Sequence, residues 1–262
     1  MTPLYFGRTG RRLFGVLDLG QSKSPDPDAA VICYPWGHEY QYAHRALRHL
    51  AQLLAARGVH VLRFDYYGTG DSAGDDSEAQ LSGWRQDIIA AIEELKETCG
   101  ATRISLVGLR LGATLAAEVA AGREDISALV MWDPAISGPE HLQHLEEEWR
   151  NLALVHGRKL GNDVEDRRGG RYGLPVSDDL AHEIDAIDLV EITARLPSRT
   201  LCLSTYQLPS HDKFKLALGR HAGGPIELEE LSDIQPWVEP DVASVGALPI
   251  LAVGRIVAWL TT

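Results

Sequence analysis

The sequence of 262 residues predicts a doubly wound α/β fold, and three observations support that prediction. Short apolar runs rich in β-branched residues alternate with longer stretches of helical periodicity, which is typical of a parallel sheet covered on both faces. The connections between these stretches have the short lengths found in doubly wound proteins. Hydrophobic residues make up 45% and charged residues 24% of the chain, as in an ordinary globular protein.

Each element follows from its local pattern. The first two strand-like segments flank a turn at Gly10, which predicts an antiparallel hairpin. The predicted strands are 4–6, 13–19, 29–34, 59–65, 103–107, 126–132, 200–204 and 226–231. The predicted helices, which have apolar residues at helical spacing, are 42–57, 81–98, 111–121 and 242–260.

The pattern changes between the sixth and seventh strands. Charged residues dominate 134–196, and its helical periodicity is interrupted by a glycine-rich break at 169–175. Chains of this length commonly bury one core. We therefore expect a single domain of residues 1–262, in which a core of 1–133 and 197–262 carries an inserted helical lid of 134–196.

Charge and cysteine content narrow the function classes. The formal net charge of −12 repels phosphate backbones and anionic membranes, so we expect a small molecule or another protein as partner, and no nucleic acid. The three cysteines have no metal-ligand spacing, which favours a reducing cytoplasm and predicts neither metal nor cofactor. The sequence has no signal-peptide pattern and no run of 18 apolar residues, so we expect a cytoplasmic protein without a membrane span.

The pentad Gly108-Leu109-Arg110-Leu111-Gly112 lies where the fifth strand turns sharply into a helix. Glycines on both sides of such a turn let the strand and helix backbones come into close contact. The central side chain is then projected from the edge of the sheet in a strained conformation. The pattern predicts a nucleophile elbow with Arg110 at its tip.

Three further segments accompany the elbow in the same order as in a known family: 33–39, 63–72 and 183–189. With them, the sequence resembles α/β hydrolases of the serine-aminopeptidase-like branch, and within it proteins labelled as hydrolases of the exosortase system. The resemblance extends over nearly the whole chain. It implies an α/β-hydrolase fold with a serine nucleophile, a histidine base and an orienting acid.

The sequence departs from that triad at two positions. Arg110 occupies the place of the serine, and a guanidinium cannot attack a carbonyl because it has no available lone pair. The loop 231–239, where the resemblance places the base, contains no histidine. Asp212 is available as the acid but has no partner base. We therefore expect that the ordinary serine-hydrolase mechanism does not operate.

A buried cation at a helix N-terminus needs a negative partner, because an unpaired buried charge costs about 3 kcal/mol or more. Glu39 is the nearest candidate, with Asp133 and Asp212 as further options. Two interpretations stay open. Arg110 and Glu39 form a pair that fills a dead pocket, or Arg110 binds the carboxylate or phosphate of a ligand, assisted by the Leu111 and Gly112 amides.

Other residues near the strand ends could shape a pocket. We predict that ligand contacts include Trp36, Gly37, His38, Tyr67 and Asp133. Among these, His38 could also carry a proton, although a solvent-exposed loop histidine is the commoner case. Tyr40 and Tyr66 belong to the same aromatic group, which either lines an acyl pocket or packs the lid.

The remaining reactive side chains are interpreted as structural. We expect Cys33 to be a buried, inert thiol and Ser72 to stabilise its turn. Residues predicted to lie on the surface are His141, His144, His211 and the acidic run 146–148. Trp237 is expected to fill the space left by the missing histidine.

Three functions follow, in order of preference. The first is a catalytically altered hydrolase homologue that binds an acyl- or carboxylate-bearing molecule, as an accessory protein in a biosynthetic or export pathway. The second is an esterase or thioesterase that uses Arg110 to stabilise an oxyanion while His38 or Glu39 activates water. The third is a structural subunit with an occluded pocket.

Overall fold

The computed structural model describes residues 1–21, 26–155, 174, 176–221, 226–238 and 246–262, with the side chains of 152–155 left out. Within this part of the chain, eight strands form one sheet in the order β1-β2-β4-β3-β5-β6-β7-β8. The strands are β1 Thr2–Phe6, β2 Leu13–Asp18, β3 Asp28–Cys33, β4 His60–Phe64, β5 Arg103–Leu109, β6 Ile126–Trp132, β7 Thr200–Ser204 and β8 Glu227–Glu230.

The sheet is antiparallel at one edge and parallel elsewhere. β1 pairs with β2 and β2 with β4 in antiparallel register, whereas the six strands from β4 to β8 in the sheet order pair in parallel. The central strands β3, β5 and β6 are buried almost throughout because helices cover both faces. The predicted α/β-hydrolase fold is therefore confirmed, and all eight predicted strands are present.

The described helices are α1 His38–Ala56, α2 Leu81–Cys99, α3 Leu111–Ala121, α4 Gly138–Val155, α5 Asp178–Asp185, α6 Ser210–Leu218 and α7 Ile250–Leu260. α1 begins four residues before its predicted start because Gly37, with a positive φ of 74°, turns the chain directly into it. α7 begins after Pro249, and part of the predicted stretch before it, 239–245, lies outside the described residues. The nine-residue α6 was not predicted from the sequence. A helix of nine residues is too short to produce a strong hydrophobic periodicity in the sequence.

The segment between β6 and β7 contains α4, α5 and a 3-10 helix at Leu189–Arg195. It contacts the core directly, since a carboxylate oxygen of Glu183 accepts a 2.6 Å hydrogen bond from the Leu81 amide at the start of α2. Residues 156–173 and 175, including most of the predicted glycine-rich break, lie outside the described residues. The division into core and lid stays a prediction.

The direction of winding reverses between β3 and β5. α1 leads from β3 outward to β4, and α2 returns across the sheet to β5. In open parallel sheets, ligands bind in the crevice that such a reversal opens at the carboxyl ends of the strands. This crevice is bordered by the residues after β3, which begin α1, and by the residue after β5, which is Arg110.

No helix of the described residues is long and apolar enough to cross a membrane.

Candidate functional site

Arg110 lies at the junction of β5 and α3 in a strained backbone conformation. Its φ is 56° and its ψ is −125°, in a region that favours glycine. A Cβ atom on Gly112 would lie 2.2 Å from the Tyr34 carbonyl oxygen, and one on Gly108 would lie 2.3 Å from the Ala113 Cα. Both glycines are therefore required by backbone contact, and the elbow geometry predicted for the pentad is present.

The Arg110 side chain is fully enclosed, with 1% of the residue exposed. Its Nε donates a 2.5 Å hydrogen bond to Oε1 of Glu39, and Nη1 lies at the limit of hydrogen bonding, 3.5 Å from the Asp133 carbonyl oxygen. The Tyr206 ring covers the guanidinium at 4.8 Å from its centroid, which adds a cation–π contact. Nη2 is buried and has no hydrogen-bond partner among the described residues.

Glu39 reaches the elbow from the first turn of α1 and is 0% exposed. Burial raises the pKa of its carboxyl to about 7, although the Arg110 cation opposes this. Only Oε1 is bound, while Oε2 has no hydrogen-bond partner in the described part of the chain. The pair of Arg110 and Glu39 is thus a single ion pair, and each side chain keeps one unused polar atom.

Asp133 follows β6 and has a positive φ of 46°. Both of its carboxylate oxygens are used, because they accept 2.6 Å hydrogen bonds from the Thr205 amide and hydroxyl. Burial raises its pKa to about 6, against these hydrogen bonds and the Arg110 cation. The Asp133 carboxylate ties β6 to β7, and its backbone carbonyl faces the guanidinium.

One face of α4 lies against the elbow, which corrects the expectation that these residues are surface. His141 is 2% exposed and Glu148 is 8% exposed, and His144 lies between them along the helix. Burial and the Arg110 cation lower the pKa of both histidines, and burial raises that of Glu148 to about 7. His144 Nε2 lies 3.1 Å from Glu148 Oε1. The spacing 141, 144 and 148 places all three on one helical face, a pattern that the sequence contained.

The α6 helix also differs from expectation. His211 is buried rather than exposed, and its Nδ1 accepts a 2.7 Å hydrogen bond from the Leu208 amide. Burial lowers its pKa. Asp212, the acid available from the sequence, is exposed on the other side of the helix. Tyr206, which covers Arg110, was not predicted because nothing in its local sequence indicates that it turns toward the elbow.

The other predicted structural roles agree with the geometry. Trp237 is buried and packs edge-on against Trp132, with ring centroids 5.0 Å apart. Cys33 is fully buried, which raises the pKa of its thiol far above its usual range. The Ser72 hydroxyl donates to the Asp65 carbonyl and accepts from the Phe14 amide, so it stabilises its turn.

The aromatic residues fall into two places. Trp36, Gly37, Tyr40, Tyr66 and Leu174 are among the residues that line a cavity of about 140 Å³ beside the start of α1. His38 stacks on Trp149 of α4 with ring centroids 5.6 Å apart.

Tyr67 belongs to neither group. Its ring lies under Arg11, its hydroxyl donates to Glu78 and its amide to Asp87. Arg110, Leu111, Gly112, Glu39 and Asp133 are thus brought together at the elbow, whereas Trp36 and Gly37 line the cavity beside α1 and His38 contacts α4.

Comparison with known proteins places this geometry in a family. Residues 26–167 match the family described as serine aminopeptidase, S33. The chain is 31% identical over 114 residues to the human mitochondrial palmitoyl-protein thioesterase ABHD10, which covers 43% of this chain and 36% of that protein. It is 36% identical over 98 residues to human protein ABHD12B, covering 35% of this chain and 26% of that protein. The matched regions therefore span only about a third or less of these relatives.

Solved structures show the same fold. An esterase of Pyrococcus furiosus superposes with a TM-score of 0.68 at 15% identity, covering 99% of this chain and 89% of that one. Est1E of Butyrivibrio proteoclasticus with bound ferulic acid superposes with a TM-score of 0.65 at 17% identity, covering 99% and 100%. Because the family match spans more than half of the chain, the protein belongs to the serine aminopeptidase S33 family of α/β hydrolases.

Proposed function

We propose that this protein is a catalytically altered member of its family that binds a carboxylate- or acyl-bearing small molecule at the elbow. The observation that carries the proposal is the state of Arg110. The buried guanidinium donates a hydrogen bond from Nε to Glu39, and its Nη2 has no partner among the described residues. It can therefore bind a second anionic oxygen. Arg110 replaces the nucleophilic serine that the resemblance places there.

The helix behind Arg110 supports an anion at the same place. Leu111 and Gly112 open α3, and the first amides of a helix have no partners within it. A ligand carboxylate at Nη2 would face both the guanidinium and these amides. Glu39 would keep its place on Nε, so binding does not require that the ion pair be broken.

The cavity beside α1 would take the apolar part of the ligand. Its walls are mainly aromatic and aliphatic, from Trp36, Tyr40, Tyr66 and Leu174. Apolar walls with a few polar groups are typical of small-molecule sites. The thioesterase named among the relatives acts on a palmitoyl group, which favours an acyl chain as the apolar part.

A second candidate function is favoured by one specific observation, the complete burial of Arg110 and Glu39 under Tyr206. In this candidate the ion pair occludes the site and the protein acts as a structural subunit with a protein partner. The proposed accessory role in a biosynthetic or export pathway fits either candidate. A third candidate is a non-serine hydrolase in which Glu39 or His38 activates water, although Glu39 is enclosed and His38 stacks on Trp149.

Calorimetric titration with octanoate and with neutral octanamide tests the proposal. We expect octanoate to bind and octanamide to bind at least about tenfold more weakly, because only the carboxylate reaches the guanidinium. Arg110→Gln should weaken octanoate binding to the level of octanamide. Arg103→Gln, which removes an exposed arginine paired with Asp28, is the matched control and should bind octanoate normally. Equal binding of octanoate by wild type and Arg110→Gln would overturn the proposal.

A panel of aryl esters and acyl thioesters separates the proposal from the hydrolytic candidate. We expect no turnover above that of buffer from the wild type. Turnover that is lost in both Arg110→Ala and Glu39→Ala would establish the non-serine hydrolase. If neither octanoate binding nor turnover is found, the occluded structural subunit is the candidate that stands.

A further inference from the structure

The first turn of α1 and the inner face of α4 bring together three side chains that metals bind. Glu39, His144 and Glu148 each offer one ligand atom, and these atoms all lie within 4.8 Å of one another. We propose that this cluster is a binding site for a divalent transition-metal ion, with Zn²⁺ the ion that suits it best. The inference does not depend on the proposed carboxylate ligand.

Four polar atoms of the cluster are buried without a hydrogen bond, although two of them, His144 Nε2 and Glu148 Oε1, lie 3.1 Å apart. Glu39 Oε2, both carboxylate oxygens of Glu148 and His144 Nε2 have no hydrogen-bond partner among the described residues. Buried polar groups in folded proteins nearly always have partners. Since Glu39 is 0% and Glu148 is 8% exposed, solvent does not serve them either. A bound cation would take one ligand atom from each of the three side chains.

The formal charges point the same way. Glu39, Glu148 and Asp133 contribute three negative charges when ionised, and Arg110 contributes one positive charge. The buried group therefore carries a net charge of −2 in its ionised form. Burying uncompensated charge is costly, and a divalent cation compensates this charge in full. Arg110 does not compete for the site, because it occupies Oε1 of Glu39 and leaves Oε2 free.

The donor set fits zinc chemistry. Imidazole nitrogens and carboxylate oxygens both bind zinc, and catalytic zinc sites use three protein ligands and keep one position open. Ligand atoms about 2.1 Å from a tetrahedral zinc ion are about 3.4 Å apart. His144 Nε2 and Glu148 Oε1 are already 3.1 Å apart without making a hydrogen bond. Only small side-chain shifts are needed to bring Glu39 to the same ion.

The helix supplies this geometry from its spacing. His144 and Glu148 are separated by four residues, which places them on neighbouring turns of one face of α4. Glu39 comes from α1 and is fixed by Arg110. Two ligands on one helix and a third on a neighbouring helix are sufficient to define a coordination site. The exposed Glu147 beside them accepts a hydrogen bond from Gln143 and offers a matched control.

Zinc binding by the full chain tests the inference. The protein is stripped with a chelator, dialysed, and titrated with Zn²⁺ by calorimetry, and its absorption is recorded with Co²⁺ as a spectroscopic probe. We expect one Zn²⁺ per chain and visible bands of tetrahedral Co²⁺. Glu148→Gln and His144→Gln should each weaken Zn²⁺ binding by at least about tenfold, since even outer partners of a metal site contribute that much. Glu147→Gln should bind as the wild type does.

Three results would overturn the inference. These are the absence of stoichiometric Zn²⁺ binding by the wild type, affinity unchanged in both ligand variants, or an equal loss in Glu147→Gln. The second result would assign binding to other histidines of the chain. Both ligand variants keep side-chain volume close to that of the original, and circular dichroism of each variant verifies folding. Octanoate titration of the zinc-free protein separates a failure here from a failure of the proposed function.

Discussion

Two buried groups of charged residues lie near the carboxyl ends of the strands, and they differ in how completely they are paired. The Asp87 group consists of Asp87, Arg11 and Tyr67 and lies beyond β4. Asp87 Oδ1 accepts a 2.7 Å hydrogen bond from Arg11 Nε, and Oδ2 accepts bonds from Arg11 Nη2 and the Tyr67 amide, each 3.0 Å long. Every oxygen of this carboxylate is used.

The elbow group consists of Arg110, Glu39, Asp133, His141, His144 and Glu148. It has one strong ion pair, and several of its atoms have no hydrogen-bond partner in the described part of the chain. Buried polar networks stabilise a fold when every member is satisfied. The Asp87 group meets that condition, so a structural role is sufficient to account for it. The elbow group does not, and this favours a role for it in binding.

Removal of Arg110 should produce the largest loss of stability. In Arg110→Met, Glu39 remains buried without its cation, and we expect the free energy of unfolding to fall by about 3 kcal/mol. Urea denaturation followed by circular dichroism measures the change. The double variant Arg110→Met with Glu39→Met is the control, since replacing both members by apolar residues should restore stability to within about 1 kcal/mol of the wild type. A stable single variant would show that the ion pair contributes nothing.

Asp87→Asn should have a smaller effect. The variant loses one acceptor and the negative charge, but Arg11 is partly exposed and can be hydrated. We expect a loss of about 2 kcal/mol, in the range of hydrogen bonds to charged groups. Asp28→Asn, which removes the exposed partner of Arg103, is the control and should cost at most about 0.5 kcal/mol. Equal losses in the two variants would mean that the buried, fully paired Asp87 carboxylate contributes no more to stability than the exposed Asp28 carboxylate.

The comparison also shows which features a sequence can predict. The strands and the elbow glycines follow from local patterns, because strand composition and a turn with obligatory glycines are encoded in neighbouring residues. The pair of Arg110 with Glu39, which are 71 residues apart, follows instead from the resemblance, which implies that both lie at the elbow. Trp237 follows in the same way from the loop that lacks a histidine. These features depend on contacts that the family order of segments already implies.

The α4 face and Tyr206 could not be predicted, for a physical reason. His141, His144 and Glu148 have helical spacing, but spacing alone does not tell which face of a charged helix is buried. Burial of that face depends on how α4 packs against α1 and α5, which is a tertiary property. For the same reason His211 was assigned to the surface, although α6 packs it inward.

Glu148→Gln should have the smallest effect on stability of the buried changes, and it is the sharpest test of the comparison. In the metal-free protein, Glu148 Oε1 faces His144 Nε2 at 3.1 Å, and neither carboxylate oxygen accepts a hydrogen bond of standard geometry from a described residue. The amide therefore removes a buried charge and keeps a polar atom opposite the imidazole. We expect the free energy of unfolding to stay within about 1 kcal/mol of the wild type or to rise. Glu147→Gln, exposed on the same helix, should change it by less than about 0.5 kcal/mol.

If Glu148→Gln instead cost as much as Asp87→Asn in a chelator-containing buffer, the Glu148 carboxylate would have a stabilising partner within the protein. The elbow group would then be a satisfied structural network like the Asp87 group. A small effect without metal, together with a loss of the stabilisation that Zn²⁺ gives the wild type, would mean that the unused atoms at the elbow are kept for a ligand.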